Sequence, residues 1–171
     1  MSLKRPDTIP KIPKTRKKKG HAALDAIPAK KPDKLEYYCK AYYKFDETLR
    51  KQFCAFSLET VVEFTSFTYE ISVEVIREKN VINFILMGLK ANMNVVPLVQ
   101  PASAEILFED LIGDFTVNVV KQDGAINSGE FHFNIFKKEI LLNKEYKPKK
   151  KNNRLFCRFF VDLENFSFVE K

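Results

Sequence analysis

The chain has 171 residues, of which 45% are hydrophobic and 30% charged, and its net charge at pH 7 is +7. This composition is ordinary for a globular protein, and the length suits a single domain of the commonest size. The longest apolar stretch, at 81–89, is far shorter than the roughly 20 residues that span a bilayer, so we expect no transmembrane segment.

Charge is divided unevenly along the chain. Residues 1–34 contain eleven Lys or Arg against three Asp or Glu, a balance of +8, and they contain no aromatic residue. Residues 35–171 contain all sixteen Phe and all six Tyr, and their balance is −1. The sequence therefore predicts two regions, a basic N-terminal arm at 1–34 and a single, nearly neutral domain at 35–171.

The arm contains five prolines, which hold the backbone extended because each ring fixes φ and disfavours the helical region in the preceding residue. Without an aromatic anchor it cannot bury enough surface to offset its ordering entropy, so we expect it to be disordered alone and to fold on binding. Its charge suits a phosphate backbone, an acidic protein surface or an anionic membrane, and the sequence does not choose among them. The residues predicted to contact this anionic partner are Lys11, Lys14, Arg16, Lys17, Lys18 and Lys19.

From Leu35 onwards the hydrophobic pattern has a period of two. Alternate residues from Leu35 to Phe45 are apolar or aromatic, and the segment 67–75 alternates as cleanly, which is typical of half-buried strands. Enrichment in β-branched and aromatic residues predicts further strands. They are expected at 52–64, 81–89, 94–99, 115–120, 130–136, 139–142, 154–161 and 165–169.

Turn and helix signals are few. Asp123 and Gly124 supply the positive φ that a tight hairpin needs. The segment 102–112 predicts either one short helix, with Ser103 as its cap, or a short strand at 104–108. About eight strands at this spacing predict an all-β domain, either an antiparallel β-sandwich or, as the alternative, a closed barrel.

Residues for catalysis are scarce. The domain has one histidine, His132, which the strand pattern places at the surface, and the three cysteines fall where small buried hydrophobes are expected. Metal-ligand spacings and phosphate-binding glycine loops are missing, so we expect no enzyme, no metal site and no cofactor. An enzyme built on His132 and Glu130 is the least supported hypothesis. Three unpaired cysteines also favour the reducing cytoplasm, or the nucleus in a eukaryote.

Two strands combine cationic and aromatic residues on one face. Flat rings beside Lys and Arg are what proteins use to bind single-stranded nucleic acid, because bases stack on the rings while the cations contact phosphates. The alternative is that the aromatic residues are packing residues, covered by a loop or a partner, with the arginines directed outwards. The residues of this predicted face are Tyr38, Lys40, Tyr42, Lys44, Arg154, Phe156, Arg158 and Phe160.

Two functional hypotheses follow from these features. In the first, the chain is a non-catalytic binding or assembly subunit, whose β domain packs on protein partners while the arm docks on an anionic surface. In the second, it binds nucleic acid directly, either on the cation–aromatic face or as a coat-like protein with a basic arm. The sequence leaves homo-oligomerisation open.

Overall fold

The computed structural model describes residues 32–92, 96, 98–147, 149 and 153–169. The cationic cluster predicted at 11–19 lies outside the described residues, as does the rest of the chain up to residue 31. One turn of 3₁₀ helix, Leu163–Asn165, accompanies nine strands in the described part. The strands are β1 (Tyr37–Asp46), β2 (Lys51–Phe64), β3 (Thr68–Glu78), β4 (Val81–Asn92), β5 (Gln100–Phe108), β6 (Gly113–Lys121), β7 (Ile126–Asn134), β8 (Glu139–Tyr146) and β9 (Cys157–Val161).

The nine strands form one sheet in the order β8-β7-β6-β4-β3-β5-β2-β1-β9. All odd-numbered strands run in one direction and all even-numbered strands in the other, so β1–β9, β3–β5 and β4–β6 are parallel pairs. The all-β class is confirmed, but the prediction of a purely antiparallel sheet is wrong. The sheet is nearly closed into a barrel, which agrees with the barrel alternative, and the predicted sandwich is not confirmed.

For residues 102–112 the sequence predicted either a short helix or a strand at 104–108. The structure places 104–108 in β5, so the strand alternative is confirmed and the predicted helix is wrong. Ala104, Ile106 and Phe108 alternate with exposed residues and pack against the core, while β5 pairs with β2 along its length. This period-two burial outweighs the local capping signal of Ser103. The strand predicted at 94–99 is not formed at its described residues.

Aromatic rings from different strands fill the barrel. Phe56 of β2 is fully buried, and its ring centroid lies 5.3 Å from that of Phe84 on β4 and 5.9 Å from that of Phe108 on β5. The rings of Phe131 and Phe133 on β7 lie at 5.7 and 5.9 Å from it, both close to perpendicular. These edge-to-face contacts tie the strands on opposite sides of the barrel into one core.

The barrel has a gap between β8 and β9, which are neighbours in space but do not pair. The carboxylate of Glu145 on β8 bridges this gap. It accepts a hydrogen bond from the backbone N–H of Phe159 at 2.6 Å and one from Nε of Arg158 at 3.2 Å. A single side chain therefore supplies the acceptor that strand pairing supplies elsewhere.

The segment after β9 is extended but is not a strand, so the strand predicted at 165–169 is wrong. Ser167 binds β1 from outside the sheet: its N–H donates to the carbonyl of Tyr43 at 2.8 Å. The rings of Phe166 and Phe168 pack on the ring of Tyr43 at 5.4 and 5.5 Å. This segment covers the core at the end of the barrel where β1 finishes.

The two ends of the barrel contain different segments of the chain. Odd-numbered strands start, and even-numbered strands finish, at the end where residues 32–36 lead into β1. We name this the Pro32 end. The opposite end carries the turns that follow β1, β3, β5 and β7, together with the 3₁₀ turn.

Candidate binding surface

The structure brings six of the eight predicted face residues together on the outside of the barrel. β1 and β9 are parallel neighbours, with Tyr38 opposite Arg158 and Lys40 opposite Phe160. The rings of Tyr38 and Phe160 lie 5.5 Å apart at an angle of 60°. Alternation along β1 turns Cys39, Ala41 and Tyr43 into the core and leaves the remaining set on the outer face. That set is Tyr38, Lys40, Tyr42, Lys44, Arg158 and Phe160, of which Tyr42 is buried, at 8% exposed.

The prediction was wrong for Arg154 and Phe156, which are 4% and 0% exposed and precede β9. The cause is a break in strand alternation just before Cys157. The backbone N–H groups of Phe156 and Cys157 both donate to the same oxygen, Oδ1 of Asn127, at 2.8 Å. Consecutive N–H groups that share one acceptor cannot point to opposite sides, so the outward face begins only after Cys157.

Both lysines of the outer face are already paired with carboxylates. Lys40 Nζ lies 2.7 Å from Glu59 of β2, and Lys44 Nζ lies 2.5 Å from Glu105 of β5. The hydroxyl of Tyr42 also donates to Glu105. Burial raises the pKa of Glu105, but the hydrogen bonds from Lys44 and Tyr42 outweigh burial and lower it. Glu105 is therefore an ionised partner, and the face has mixed charge instead of a cationic stripe.

A groove of about 430 Å³ runs along this face beside the paired rings. Phe160, at 41% exposed, is the large aromatic residue that the groove presents to solvent. The groove is lined by Tyr38, Lys40, Glu59, Thr60, Val61, Glu63, Pro101 and Phe160.

No family model, curated protein or solved structure matches this chain. The chain's own residues are therefore the evidence for its function.

A cluster of ion pairs lies at the Pro32 end around the buried side chain of Arg154, whose partners are partly exposed. Arg154 Nη1 donates to Glu36 at 3.0 Å, its Nη2 lies 3.6 Å from Asp123, and Lys121 Nζ also binds Glu36. Burial raises the pKa of Glu36, but the hydrogen bond and charge of Lys121, followed by those of Arg154, outweigh burial and lower it. The guanidinium of Arg154 also lies over the ring of Phe156 at 5.7 Å. This cluster ties the residue before β1 to the residues before β9.

Residues 32–36 are bound in a defined place at this end. Asp33 accepts hydrogen bonds from the N–H of Leu155 at 2.7 Å and from Lys147 Nζ at 2.7 Å. The N–H of Lys34 donates to the carbonyl of Leu155 at 3.0 Å. The chain segment that the sequence assigns to the end of the arm is therefore attached to the β domain from Asp33 onwards.

Both ends of the barrel expose large apolar side chains, a feature that sequence reasoning missed: Leu49, Ile112, Phe136 and Leu163 are exposed at the opposite end, and a second set is exposed at the Pro32 end. Six side chains of this second set are between 38% and 63% exposed. They come from the end of β2, the bend before β3, the end of β4 and the segment before β5. These residues, which we call the apolar rim, are Val61, Val62, Phe67, Leu89, Leu98 and Val99.

The cysteines lack the environment of catalytic nucleophiles. Cys39, Cys54 and Cys157 are free and buried, as the strand pattern predicted. Burial raises the pKa of Cys54 to about 12 and also raises the pKa values of Cys39 and Cys157. All three thiols are therefore protonated and unreactive at neutral pH.

His132 has a simple structural contact. Its Nδ1 lies 2.7 Å from Oδ1 of Asp114 on the neighbouring strand β6. Within the described residues, no group of three or more His, Cys, Asp or Glu side chains is arranged to hold a metal ion. The described part also contains no helix with the length and hydrophobicity to cross a membrane.

The carboxylates on the outer face are the residues that sequence reasoning did not find. Glu59 and Glu63 alternate with apolar residues near the end of β2. Glu105 lies in β5, in the segment for which the sequence predicted either a helix or a strand. Their outward direction was readable from the period of two. The pairing of Glu59 with Lys40 and of Glu105 with Lys44 could not be predicted, because it depends on which strands become neighbours and in which register.

Proposed function

We propose that this chain is a non-catalytic binding or assembly subunit, in which the β domain packs on a protein partner and the basic arm docks on an anionic surface of the same assembly. The observation that carries the proposal is the shared location of two features. The arm joins the barrel at the Pro32 end, and the apolar rim is exposed at that same end. One partner surface can therefore contact both.

The apolar rim favours a protein as the partner of this end. Exposed apolar side chains gain free energy when another apolar surface covers them, and monomeric proteins rarely leave such groups clustered without a role. A partner that only supplied negative charge would leave these side chains in water. A protein surface with apolar groups flanked by carboxylates fits both the rim and the arm.

Anchoring of residues 33–36 supports a role for the arm as a tether. The described residues that the arm leads into are held in place by the bonds of Asp33 and Glu36. Binding of the rim then raises the effective concentration of the arm near an acidic surface of the partner. We expect each contact to be weak alone and strong in combination.

The test is a comparison of two full-length proteins. In one variant the six predicted cationic residues are replaced by Gln, and the other is the unchanged chain. We expect identical folding, measured by circular dichroism and thermal unfolding, but loss of partner proteins in a pull-down from native lysate followed by mass spectrometry. Equal recovery of the same proteins by both forms would refute the proposal.

Nucleic-acid binding stays a prediction that depends on the arm. Pairing of Lys40 and Lys44 with Glu59 and Glu105 leaves the outer face poorly suited to phosphates. We expect single-stranded DNA, if it binds, to bind through the arm with a steep salt dependence. A salt titration of the unchanged chain and the Gln variant measures this directly.

A further inference from the structure

The groove beside Tyr38 and Phe160 offers aromatic rings to a ligand. Phe160 is 41% exposed, and Tyr38 lies against it in the groove wall. The face of an aromatic ring attracts a cation because its quadrupole places negative charge above the ring. Aromatic walls alone would accept a nucleobase, an apolar side chain or a cation, so the charges in the groove decide between these ligands.

The charges of the groove favour a cation. Its one ammonium, that of Lys40, is held by Glu59 at 2.7 Å. Glu63 lines the same groove and is exposed, and it forms no ion pair with any residue in the described part of the chain. One carboxylate is therefore in excess. A phosphate would be repelled here, whereas a lysine or arginine head group would be attracted.

Apolar groups complete the groove. Val61 and Pro101 lie in its wall together with the carboxylate and the rings. A lysine side chain places its apolar stem along such a surface and its charged head beside carboxylate and aromatic groups. The volume of about 430 Å³ is within the range of about 300–1,000 Å³ that ligand pockets occupy, which accommodates an extended peptide side chain with its neighbours.

We propose that this groove binds an extended segment of a partner protein through its lysine or arginine side chains. The site goes beyond the proposed function, because it lies on the outer face of β1, β2 and β9 and does not use the basic arm. It also reverses the ligand expected from the sequence. The cation–aromatic pattern predicted a face for nucleic acid, and the neighbouring carboxylates convert part of it into a receptor for cations.

The experiment uses the full chain and a fluorescein-labelled peptide of six Gly-Lys repeats, with binding followed by fluorescence anisotropy at low salt. The matched peptide carries acetyl-lysine at every lysine position, which keeps length and stem but removes the charge. We expect the lysine peptide to bind and the acetylated peptide to bind at least tenfold more weakly. Equal binding of the two peptides would overturn the proposal.

Two variants locate the binding site. Phe160→Leu removes the ring and Glu63→Gln removes the excess carboxylate, and each is expected to weaken binding of the lysine peptide about two- to fivefold. The matched controls, Phe136→Leu and Glu164→Gln, make the same substitutions at exposed residues of the opposite end of the barrel and should change nothing. Weakening by the controls, or none by the groove variants, would overturn the assignment.

A third probe separates the two kinds of ligand. Oligo-dT of twelve nucleotides binds the basic arm in any account that gives the arm a phosphate partner, so its affinity alone decides nothing about the groove. The dependence of oligo-dT affinity on Phe160 shows which kind of ligand the groove binds. We expect Phe160→Leu to leave oligo-dT affinity unchanged, and a fall would show that the groove stacks bases instead of binding cations.

Discussion

Arg154 and Phe156 repeat the spacing of Arg158 and Phe160 four residues later in the chain, and the structure gives the two pairs different environments. The first pair is buried at the Pro32 end, where Arg154 binds Glu36 and Phe156 packs beneath it. The second pair lies on β9, exposed beside Tyr38. The same residue types therefore form a structural anchor in one place and a binding surface in the other, and the difference lies in backbone geometry, not in composition.

The contrast between the two phenylalanines predicts the largest effect. Phe156→Ala should lower the free energy of unfolding by about 3–5 kcal/mol, because it empties a fully buried ring position beside Tyr37. Phe160→Ala should cost less than about 1 kcal/mol, since that ring is already partly in water. Urea denaturation of both variants measures the difference. Equal losses would mean that the two rings do not differ in role.

The two arginines should differ in the same direction by a smaller amount. Arg154→Met removes the guanidinium that binds Glu36 and leaves that carboxylate with Lys121 alone, at an expected cost of about 2 kcal/mol. Arg158→Met breaks only an exposed pair with Glu145 and should cost about 0.5 kcal/mol or less. The same denaturation experiment tests this, and a cost for Arg158 matching that for Arg154 would contradict the assigned roles.

The anchor should also be the more sensitive region to acid. The pKa of Glu36 is lowered below its ordinary value of 4.5, so the stability that its ion pairs contribute is present at neutral pH. That contribution is lost as the pH falls below 4.5 and through the lowered pKa of the folded protein. The unfolding free energies of the unchanged chain and Glu36→Gln should therefore differ at pH 7 and converge towards pH 3. A difference that is constant from pH 7 to pH 3 would show that Glu36 acts through packing alone.

Local pattern was sufficient for much of the fold. The alternation in β1 predicted its inward and outward residues, and the same rule held within β9 from Cys157 to Val161. The rule failed at Phe156 because Asn127, on a different strand, binds two consecutive backbone N–H groups. Nothing in the sequence of residues 154–161 predicts the contact with Asn127. The capping signal at Ser103 predicted a helix that does not form, because pairing of β5 with β2 outweighs that local signal.

The candidate binding surface was predictable in part for the same reason. Outward direction is a local property of a strand, so Tyr38, Lys40 and Phe160 were found from the period of two. The neighbours that modify them come from β2 and β5. Whether Lys40 is free to bind phosphate or held by Glu59 depends on the register between two strands, which the period of two alone does not specify.

By itself, the sequence determined the all-β class, the outward residues of β1 and β9, and the concentration of positive charge in residues 1–34. These follow from side-chain alternation and from charge, which are properties of residues near one another in the chain. Only the tertiary structure decided that the sheet nearly closes, that Arg154 and Phe156 are buried, and that the lysines of the outer face are neutralised by glutamates. Each of these depends on contacts between strands distant in sequence, and their register is set by the packing of the whole barrel.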